Sequence, residues 1–303
     1  GSTIFGIGFG ILYYRAGPAC GRRNQSAQGQ LVRSTGMKTR VELESIAKNM
    51  RKDIFKMALN SGTKGAHLGG SLSAVELLTV LYGEILKYDV QTPKWEDRDR
   101  FILSKAHSAI GLYAALKYAG FLTEEDIEGA LHNDSFLYKH PRYDLSHGFE
   151  FSGGSLGQGL SLGVGTALAL KLRQNKKAKV YVLLGDGECD EGSVWEAAAS
   201  VIHFDLKQIT VMIDQNRLQN DGTTEQIMKL GNMAERWASI GFDVIEADGH
   251  DVLEIRKACL MDTKNPKVIL AHTVKGKGVS FAENVVDWHI SYFTKEMFDQ
   301  AME

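Results

Sequence analysis

The sequence predicts an α/β protein with a mostly parallel sheet flanked by helices. Residues 179–184 and 209–214 are continuous apolar runs of strand length, and residues 194–203 between them have the pattern of a helix. A strand, a helix and a strand in this order form a right-handed unit with parallel strands. Apolar segments near Val244 and at 268–271 repeat the alternation, which favours an α/β fold over an all-helical one.

The region before residue 179 is predicted to be mainly helical. Apolar residues recur every three or four positions from Leu43 to Met57, which indicates one buried helix face. The predicted elements are, in order, a helix over 43–57, a glycine-rich turn at 61–70, helices at 71–86 and 108–118 with a short buried strand at 100–104 between them, and a small-residue helix from about 158 to about 172. Residues 134–154 are polar and irregular, and we expect a long functional loop there.

Composition narrows the class of partner. The chain has 303 residues, of which 44% are hydrophobic and 24% charged, so it can bury a large core, and we expect one domain over residues 37–303. With 35 basic and 37 acidic side chains, no strong net field draws it to nucleic acid or to a membrane. A small metabolite is therefore the expected partner.

The N-terminus and the cysteines carry no functional signal. The apolar run at 4–14 is too short to span a bilayer, and residues 1–36 read as a vector-derived or poorly ordered extension. Cys20, Cys189 and Cys259 are widely spaced and indicate neither a disulfide framework nor a zinc site, so we expect a cytoplasmic protein.

Two polar residues follow neighbouring predicted strands. Asp186 and Asn216 lie just past the strands at 179–184 and 209–214, at the edge where ligands bind in open parallel sheets. A carboxylate, an amide oxygen and a nearby backbone carbonyl suit Mg²⁺ or Ca²⁺ better than zinc. Gly185 and Gly187 are expected to leave room for a phosphate or to adopt positive φ. Gly-Asp-Gly alone is also a common turn sequence, and the asparagine after the next strand favours the metal site.

The same stretch resembles the thiamin diphosphate motif of transketolases, in Gly185-Asp-Gly-Glu-Cys-Asp-Glu-Gly-Ser-Val-Trp-Glu-Ala197 and Asp214-Gln-Asn-Arg-Leu218. The resemblance extends over residues 37–289 and implies a thiamin diphosphate-binding fold. It implies that Asp186, Asn216 and the carbonyl of Leu218 bind the metal and that Gly187 contacts the diphosphate. It also implies that Glu191 and Glu196 belong to the cofactor site, where they face a partner polypeptide and take part in coupling the two cofactor sites.

Other motifs match the same family. Gly154-Ser-Leu-Gly-Gln-Gly159 resembles the loop whose backbone meets the aminopyrimidine of the cofactor, which implies contacts from Gly154, Ser155 and Leu156. Lys105 and Lys275 match lysines that approach the cofactor.

Four of the nine histidines occupy positions that resemble active-site histidines of transketolases: His67, His107, His140 and His289. His107 and His289 are also expected to contact the cofactor. Cleavage of a carbon–carbon bond beside a carbonyl creates an alkoxide and releases a hydroxyl proton, and imidazoles can stabilise the one and carry the other. The remaining histidines are expected to be structural: His132, His147, His203, His250 and His272.

Three residues depart from the family pattern. Leu68 stands where a proline often follows the first histidine, while Ala106 and Ile290 replace glycines. These differences concern the choice of donor and acceptor sugar more than the type of reaction.

The resemblance also implies a partner. Transketolases are roughly twice as long, and their second half carries the glutamate that activates the aminopyrimidine and most contacts to the sugar phosphates. We therefore expect the cofactor-diphosphate subunit of a split transketolase, paired with a separate pyrimidine-binding subunit in an α2β2 heterotetramer and acting on ketose and aldose phosphates. The sequence does not identify those sugars.

Two alternatives stay open. The first is a subunit of another thiamin diphosphate enzyme, one that decarboxylates a 2-oxo acid or resembles deoxyxylulose phosphate synthase. The second is a non-catalytic binding subunit of the same fold. The run from Glu191 to Glu196 and the pair Trp288-His289 favour transketolase over the first, and retention of the metal ligands and four histidines argues against the second.

Overall fold

The computed structural model describes residues 37–303. The prediction of a vector-derived or poorly ordered extension at 1–36 lies outside the described residues. The boundary at Met37 therefore stays a prediction, whereas the predicted elements after it can each be compared with the structure.

The centre of the fold is a parallel five-stranded sheet in the order β1-β2-β3-β5-β4. Its strands are β1 (Arg100–Leu103), β2 (Val180–Gly185), β3 (Ile209–Gln215), β4 (Asp243–Asp248) and β5 (Lys267–His272). The prediction of an α/β fold with a parallel sheet is confirmed, and every predicted strand is present.

Helices cover both faces of this sheet. Within residues 37–303 they are α1 (Arg40–Asn60), α2 (Leu68–Ser73), α3 (Val75–Val80), α4 (Ala109–Tyr118), α5 (Glu124–Glu128), α6 (Gln158–Leu172), α7 (Gly192–His203), α8 (Thr224–Ile227), α9 (Met233–Ile240), α10 (Val252–Leu260) and α11 (Lys295–Met302). The helix predicted at 71–86 is in fact broken at Ala74, and it ends in a π-helical turn over Leu81–Ile85. None of the described helices combines the length and the apolar character needed to cross a membrane.

Alternate residues of the central strands feed two separate cores. Tyr181 and Leu183 of β2 pack into the core beneath α1, α3 and α4, whereas Val180 and Val182 pack into the core beneath α6, α7 and α9. Burial on both faces explains why these strands read as continuous apolar runs and lack an alternating pattern. This double cover also fixes the strands that carry the polar residues at the carboxyl edge.

The predicted loop at 134–154 lies within a long irregular segment. Between Glu128 and Gln158 the described chain forms only one short 3₁₀ turn, Leu145–His147. Glu150 anchors the segment through a two-pronged ion pair with Arg98, at 2.8 and 2.9 Å. The loop therefore has a defined path that leads from His140 to Gly154.

Candidate active site

The carboxyl ends of β2 and β3 bring the predicted metal ligands together. In the register of the sheet Gly185 lies opposite Asp214, so the turns that follow the two strands are neighbours. The Asp186 carboxylate accepts hydrogen bonds from the backbone N–H groups of Gly187 and Arg217. Asn216 Oδ1 accepts from Leu218 N at 3.1 Å, and the left-handed φ of +64° at Arg217 turns the chain there.

Gly185 and Gly187 do not have the positive φ that was expected as one reason for glycine there. The strand exit is made by ordinary right-handed geometry at Asp186. A Cβ at Gly185 would have no neighbour closer than 4.0 Å, whereas one at Gly187 would come within 2.7 Å of the Gln219 side chain. A larger residue at 187 would therefore have to displace Gln219, and the expected room for a phosphate stays a prediction.

The Asp186 carboxylate is buried, and its charge has no salt-bridge partner among the described residues. Burial and the nearby charge of Asp214 raise its pKa to about 6. A buried carboxylate beside an amide oxygen and a carbonyl is a donor set that a divalent cation would stabilise. Within residues 37–303 no cluster of three or more His, Cys, Asp or Glu side chains suited to a metal occurs.

Lys105 and Asp214 form a fully buried ion pair at the end of β3. Lys105 Nζ also donates to Gly70 O at 2.9 Å, and Ser73 Oγ donates to Asp214 Oδ2 at 2.6 Å. Burial opposes the charge of Asp214, but Lys105 and the hydrogen bonds from Ser73 and Thr273 together lower its pKa. The pair joins β1, β3 and α2 directly beneath the candidate site.

The turns at 186–187 and 216–218, which are predicted to bind the metal, are called the metal turn, and Lys275 links them to the histidines. Its Nζ donates to Gln219 O at 2.7 Å and lies 3.5 Å from Leu218 O and 3.3 Å from His289 Nδ1. Burial and the charge of Lys105 lower the pKa of Lys275 to about 8. A positive charge therefore lies beside the carbonyl predicted to bind the metal.

The structure brings all four predicted active-site histidines into one cluster. The ring of His67 lies 5.6 Å from that of His107, 5.8 Å from His140 and 5.5 Å from His289. The rings of His107 and His289 are 5.0 Å apart. They come from four separate segments: the turn before α2, the 3₁₀ turn after β1, the long loop, and the 3₁₀ turn Val286–His289.

Burial, together with nearby positive charge, favours the neutral form of these imidazoles. Burial and the positive charges nearby lower the pKa of His67 to about 4 and that of His289 to about 3. Burial also lowers the pKa of His140, and for His107 burial and the neighbouring Lys105 place the pKa well below its usual value. Neutral imidazoles can both donate and accept a hydrogen bond, as proton transfer to and from a sugar hydroxyl requires.

The glycine loop, residues 153–159, lies against the segment between β1 and α4 that carries His107. A Cβ on Gly153 would lie 2.4 Å from Ala106 Cβ, so the loop packs directly on the segment between Lys105 and His107. Gly154 and Ser155 are exposed and Leu156 is half-buried. Their backbone is therefore accessible to a ligand.

Glu191 and Glu196 lie apart from the histidine cluster. Glu191 is the N-cap residue of α7 and Glu196 lies on the helix, and both side chains are exposed. Their exposure leaves them available to a partner polypeptide.

Sequence reasoning missed two polar residues that organise the site. Asp214 holds Lys105, and Glu188 accepts hydrogen bonds from two backbone N–H groups. An acidic residue at the end of an apolar strand was a usable signal for Asp214, whereas nothing in the sequence pattern distinguished Glu188 from a solvated residue. His250, which was expected to be structural, bridges Glu76 and Val274 N.

The match to a known family covers this whole site. A profile described as "Transketolase, thiamine diphosphate binding domain" matches residues 46–302. The chain belongs to the transketolase family. The match includes the metal turn, the glycine loop and all four clustered histidines, so the resemblance inferred from the motifs is confirmed, and this part of the chain is a thiamin diphosphate-binding domain.

Individual transketolases support the same assignment. An apulose-4-phosphate transketolase subunit of Phocaeicola vulgatus is 38% identical over 263 residues, which are 86% of this chain and 92% of that protein. A 6-deoxy-6-sulfo-D-fructose transketolase subunit of Clostridium sp. (strain MSTE9) is 37% identical over 78% of this chain and 86% of its own length. The crystal structure of the Campylobacter jejuni transketolase matches with a TM-score of 0.80 and 28% identity, over 88% of this chain but only 42% of that one.

Proposed function

We propose that the chain is the cofactor-diphosphate-binding subunit of a two-subunit transketolase, which moves a two-carbon ketol unit from a ketose phosphate to an aldose phosphate. The observation that carries the proposal is the arrangement at one edge of the sheet. There the turn that carries Asp186, a buried carboxylate without a salt-bridge partner among the described residues, lies next to a cluster of four neutral histidines. Lys275 connects the turn to the cluster.

In this proposal Asp186, Asn216 and the carbonyl of Leu218 bind Mg²⁺ or Ca²⁺, and the metal neutralises a diphosphate. Gly187 is proposed to contact that diphosphate, because it directly follows Asp186 in the turn that matches the family motif. Lys105 and Lys275 add positive charge behind and beside it. Three oxygens from the chain leave coordination positions for phosphate oxygens and water.

Thiamin diphosphate, when bound, supplies the nucleophilic carbon and the electron sink for cleavage of the carbon–carbon bond. The chain contributes hydrogen bonds and proton transfer. His67, His107, His140 and His289 orient the sugar hydroxyls, donate to the oxygen on which negative charge develops, and accept the hydroxyl proton. His107 and His289, which lie nearest to Lys105 and Lys275, also contact the cofactor.

The backbone of Gly154, Ser155 and Leu156 is proposed to meet the aminopyrimidine end of the cofactor. Glu191 and Glu196, both exposed at the start of α7, are proposed to face the partner subunit. These roles agree with the accessibility of the two segments.

A partner subunit is supported by the relatives. The P. vulgatus and Clostridium proteins are themselves designated as subunits, and the match covers 92% and 86% of their lengths. We propose that a separate subunit supplies the pyrimidine-binding half and that the assembly is an α2β2 heterotetramer. The sugars named for the relatives favour a donor from a specialised carbohydrate pathway. The two described cysteines, Cys189 and Cys259, are free, which agrees with a cytoplasmic location.

The test is reconstitution with the co-purifying partner, thiamin diphosphate and magnesium, followed by a screen of ketose phosphates against aldehyde acceptors. Ketol transfer is expected only when both subunits and the metal are present. Pyruvate as the sole accepted donor would instead favour a decarboxylating enzyme. Full transfer by the chain without a partner would overturn the split arrangement.

A further inference from the structure

Glu188 is a buried carboxylate for which the proposed reaction has no direct use. Its side chain is only 2% exposed. Oε1 accepts a hydrogen bond from Ser104 Oγ and another from Gly157 N at 2.8 Å, and Oε2 accepts from Gly185 N at 3.1 Å. One carboxylate therefore joins the end of β1, the glycine loop and the end of β2.

These contacts cap helix α6 from outside the helix. Its N-cap residue is Gly157, in the left-handed region at φ +76°, and it has no side chain with which to accept from the first N–H groups. Glu188 accepts from Gly157 N, and Ser104 Oγ accepts from Gly159 N at 3.1 Å. A negative charge at this end also interacts favourably with the helix dipole.

Two glycines allow the glycine loop to lie close to the segments that carry Ser104 and Ser193. A Cβ at Gly157 would lie 2.6 Å from Ser193 Oγ, and one at Gly159 would lie 2.4 Å from Ser104 Cβ. Glycine at both positions lets the loop come within hydrogen-bonding distance of Glu188. Loop and carboxylate thus form a single tight contact that solvent does not enter.

The contact between Glu188 and Gly157 joins two segments of the candidate site. Glu188 lies two residues after Asp186, and its partner Gly157 directly follows Leu156. We propose that Glu188 is a positioning residue that fixes the loop of Gly154, Ser155 and Leu156 relative to the metal turn. Resting on the proposed function, this means that Glu188 sets the spacing between the groups that hold the two ends of thiamin diphosphate.

Only a carboxylate of this length meets all three donors. Glutamine has one acceptor oxygen, and its amide nitrogen would face either Gly185 N or the pair of donors on Oε1. Glu188→Gln therefore keeps size and polarity but leaves at least one buried N–H without an acceptor. The substitution should therefore weaken the contact between residue 188 and the glycine loop, while the packing of the apolar core stays the same.

Asp99 offers a matched control. It is a buried carboxylate that accepts from Lys87 N at 2.9 Å and Lys179 N at 2.7 Å, at the opposite edge of the sheet. Asp99→Asn removes a buried carboxylate that accepts from two backbone N–H groups, together with an ion pair to Lys87, without touching the candidate site.

Two measurements on the full chain, assembled with its partner subunit, test the inference. Hydrogen exchange followed by mass spectrometry is expected to show residues 152–160 exchanging about tenfold faster in Glu188→Gln than in the unsubstituted chain. Calorimetric titration with magnesium is expected to show thiamin diphosphate binding weakened about tenfold more than inorganic pyrophosphate, which contacts only the metal turn. Asp99→Asn should change neither the loop exchange nor the ratio of the two affinities.

Unchanged exchange at 152–160 in Glu188→Gln would overturn the inference. An equal loss for thiamin diphosphate and pyrophosphate would overturn it as well, since the loop and the turn would then not be coupled. A failure of the unsubstituted chain and its partner to bind thiamin diphosphate with magnesium would instead overturn the proposed function, and the exchange measurement tells the two failures apart.

Discussion

At the scale of single residues, the main property of the histidine cluster is that its surroundings disfavour protonated imidazoles. His67 has three imidazole neighbours with ring centres within 6 Å, and Lys275 and Lys139 add positive charge nearby. A proton on any one ring therefore repels the charges around it and must be held in partly desolvated surroundings. The surroundings of the cluster therefore disfavour a further positive charge and leave neutral imidazoles that can donate and accept hydrogen bonds.

We expect this neutrality to appear as a loss of stability in acid. The pKa of His67 is about 4 in the folded protein and about 6.5 when unfolded, so between these values only the unfolded chain takes up the proton. As the pH falls from 7 to 4, this residue should lower the free energy of unfolding by about 1–2 kcal/mol, after allowance for its partial exposure. Below pH 4 both states are protonated and the loss should stop.

Urea unfolding at pH 7 and pH 4 measures this effect. His67→Gln should show a drop between the two pH values that is smaller than that of the unsubstituted chain by the same amount. His132→Gln, at a histidine outside the cluster, serves as control. An equal drop for His67→Gln and the control would contradict the expected pKa.

At the scale of elements, helix α6 combines tight and open glycine positions. A Cβ at Gly159 would lie 2.7 Å from Ser104 Cα, whereas one at Gly165 on the same helix meets nothing within 4 Å. Gly159→Ala is expected to destabilise the fold by about 2 kcal/mol through overpacking. Gly165→Ala should stabilise it by about 0.5–1 kcal/mol through helix propensity. Denaturant midpoints of the two variants give both values, and destabilisation of similar size in both would refute the steric explanation.

A second element-scale feature is the polar network that holds residues 274–277. Arg51 pairs with Glu76 at 2.7 Å, Glu76 with His250 Nδ1 at 3.0 Å, and His250 Nε2 accepts from Val274 N at 2.8 Å. Arg51 Nε also donates to Lys277 O at 3.1 Å. The network thus holds Val274 and Lys277, which lie on either side of Lys275, through hydrogen bonds to their backbone.

Removal of the charge at the centre of this network should be costly. Glu76→Gln leaves Arg51 largely buried without its counter-ion and is expected to lower the free energy of unfolding by about 3 kcal/mol. Glu225→Gln, which breaks the exposed pair with Lys229, should cost less than about 0.5 kcal/mol. Chemical denaturation distinguishes them, and a small effect at Glu76 would show that water replaces the lost contacts.

The sequence predicted those parts of the molecule that depend on local pattern. The strands that end at Gly185 and Gln215 were predictable because burial on both faces gives continuous apolar runs, and the clustered histidines because each lies in a recognisable motif. The break at Ala74 was not predictable, since the apolar period continues through it. Glu188 was missed for a different reason: its partners are backbone N–H groups that only the tertiary fold brings within reach.

At the scale of the whole molecule, the proposed metal and cofactor should stabilise the fold by mass action. The carboxylate of Asp186 gains a cation only in the bound state. Saturation to about 100 times the dissociation constant adds about 2.7 kcal/mol, which raises Tm by about 5 °C. Differential scanning fluorimetry with thiamin diphosphate and magnesium measures the shift, and EDTA should abolish it. A shift that survives EDTA would contradict a metal-dependent diphosphate site.

The separation of the site residues along the chain has a consequence for synthesis. Among the described strands β1 pairs only with β2, so Arg100 cannot pair until Val180 has been synthesised. The last strand ends at His272, yet the cluster is complete only with His289. Contacts of such long range slow folding. On a nascent polypeptide the four-histidine cluster can be complete only after residue 289 has left the ribosome, in whatever order the strands of the sheet form.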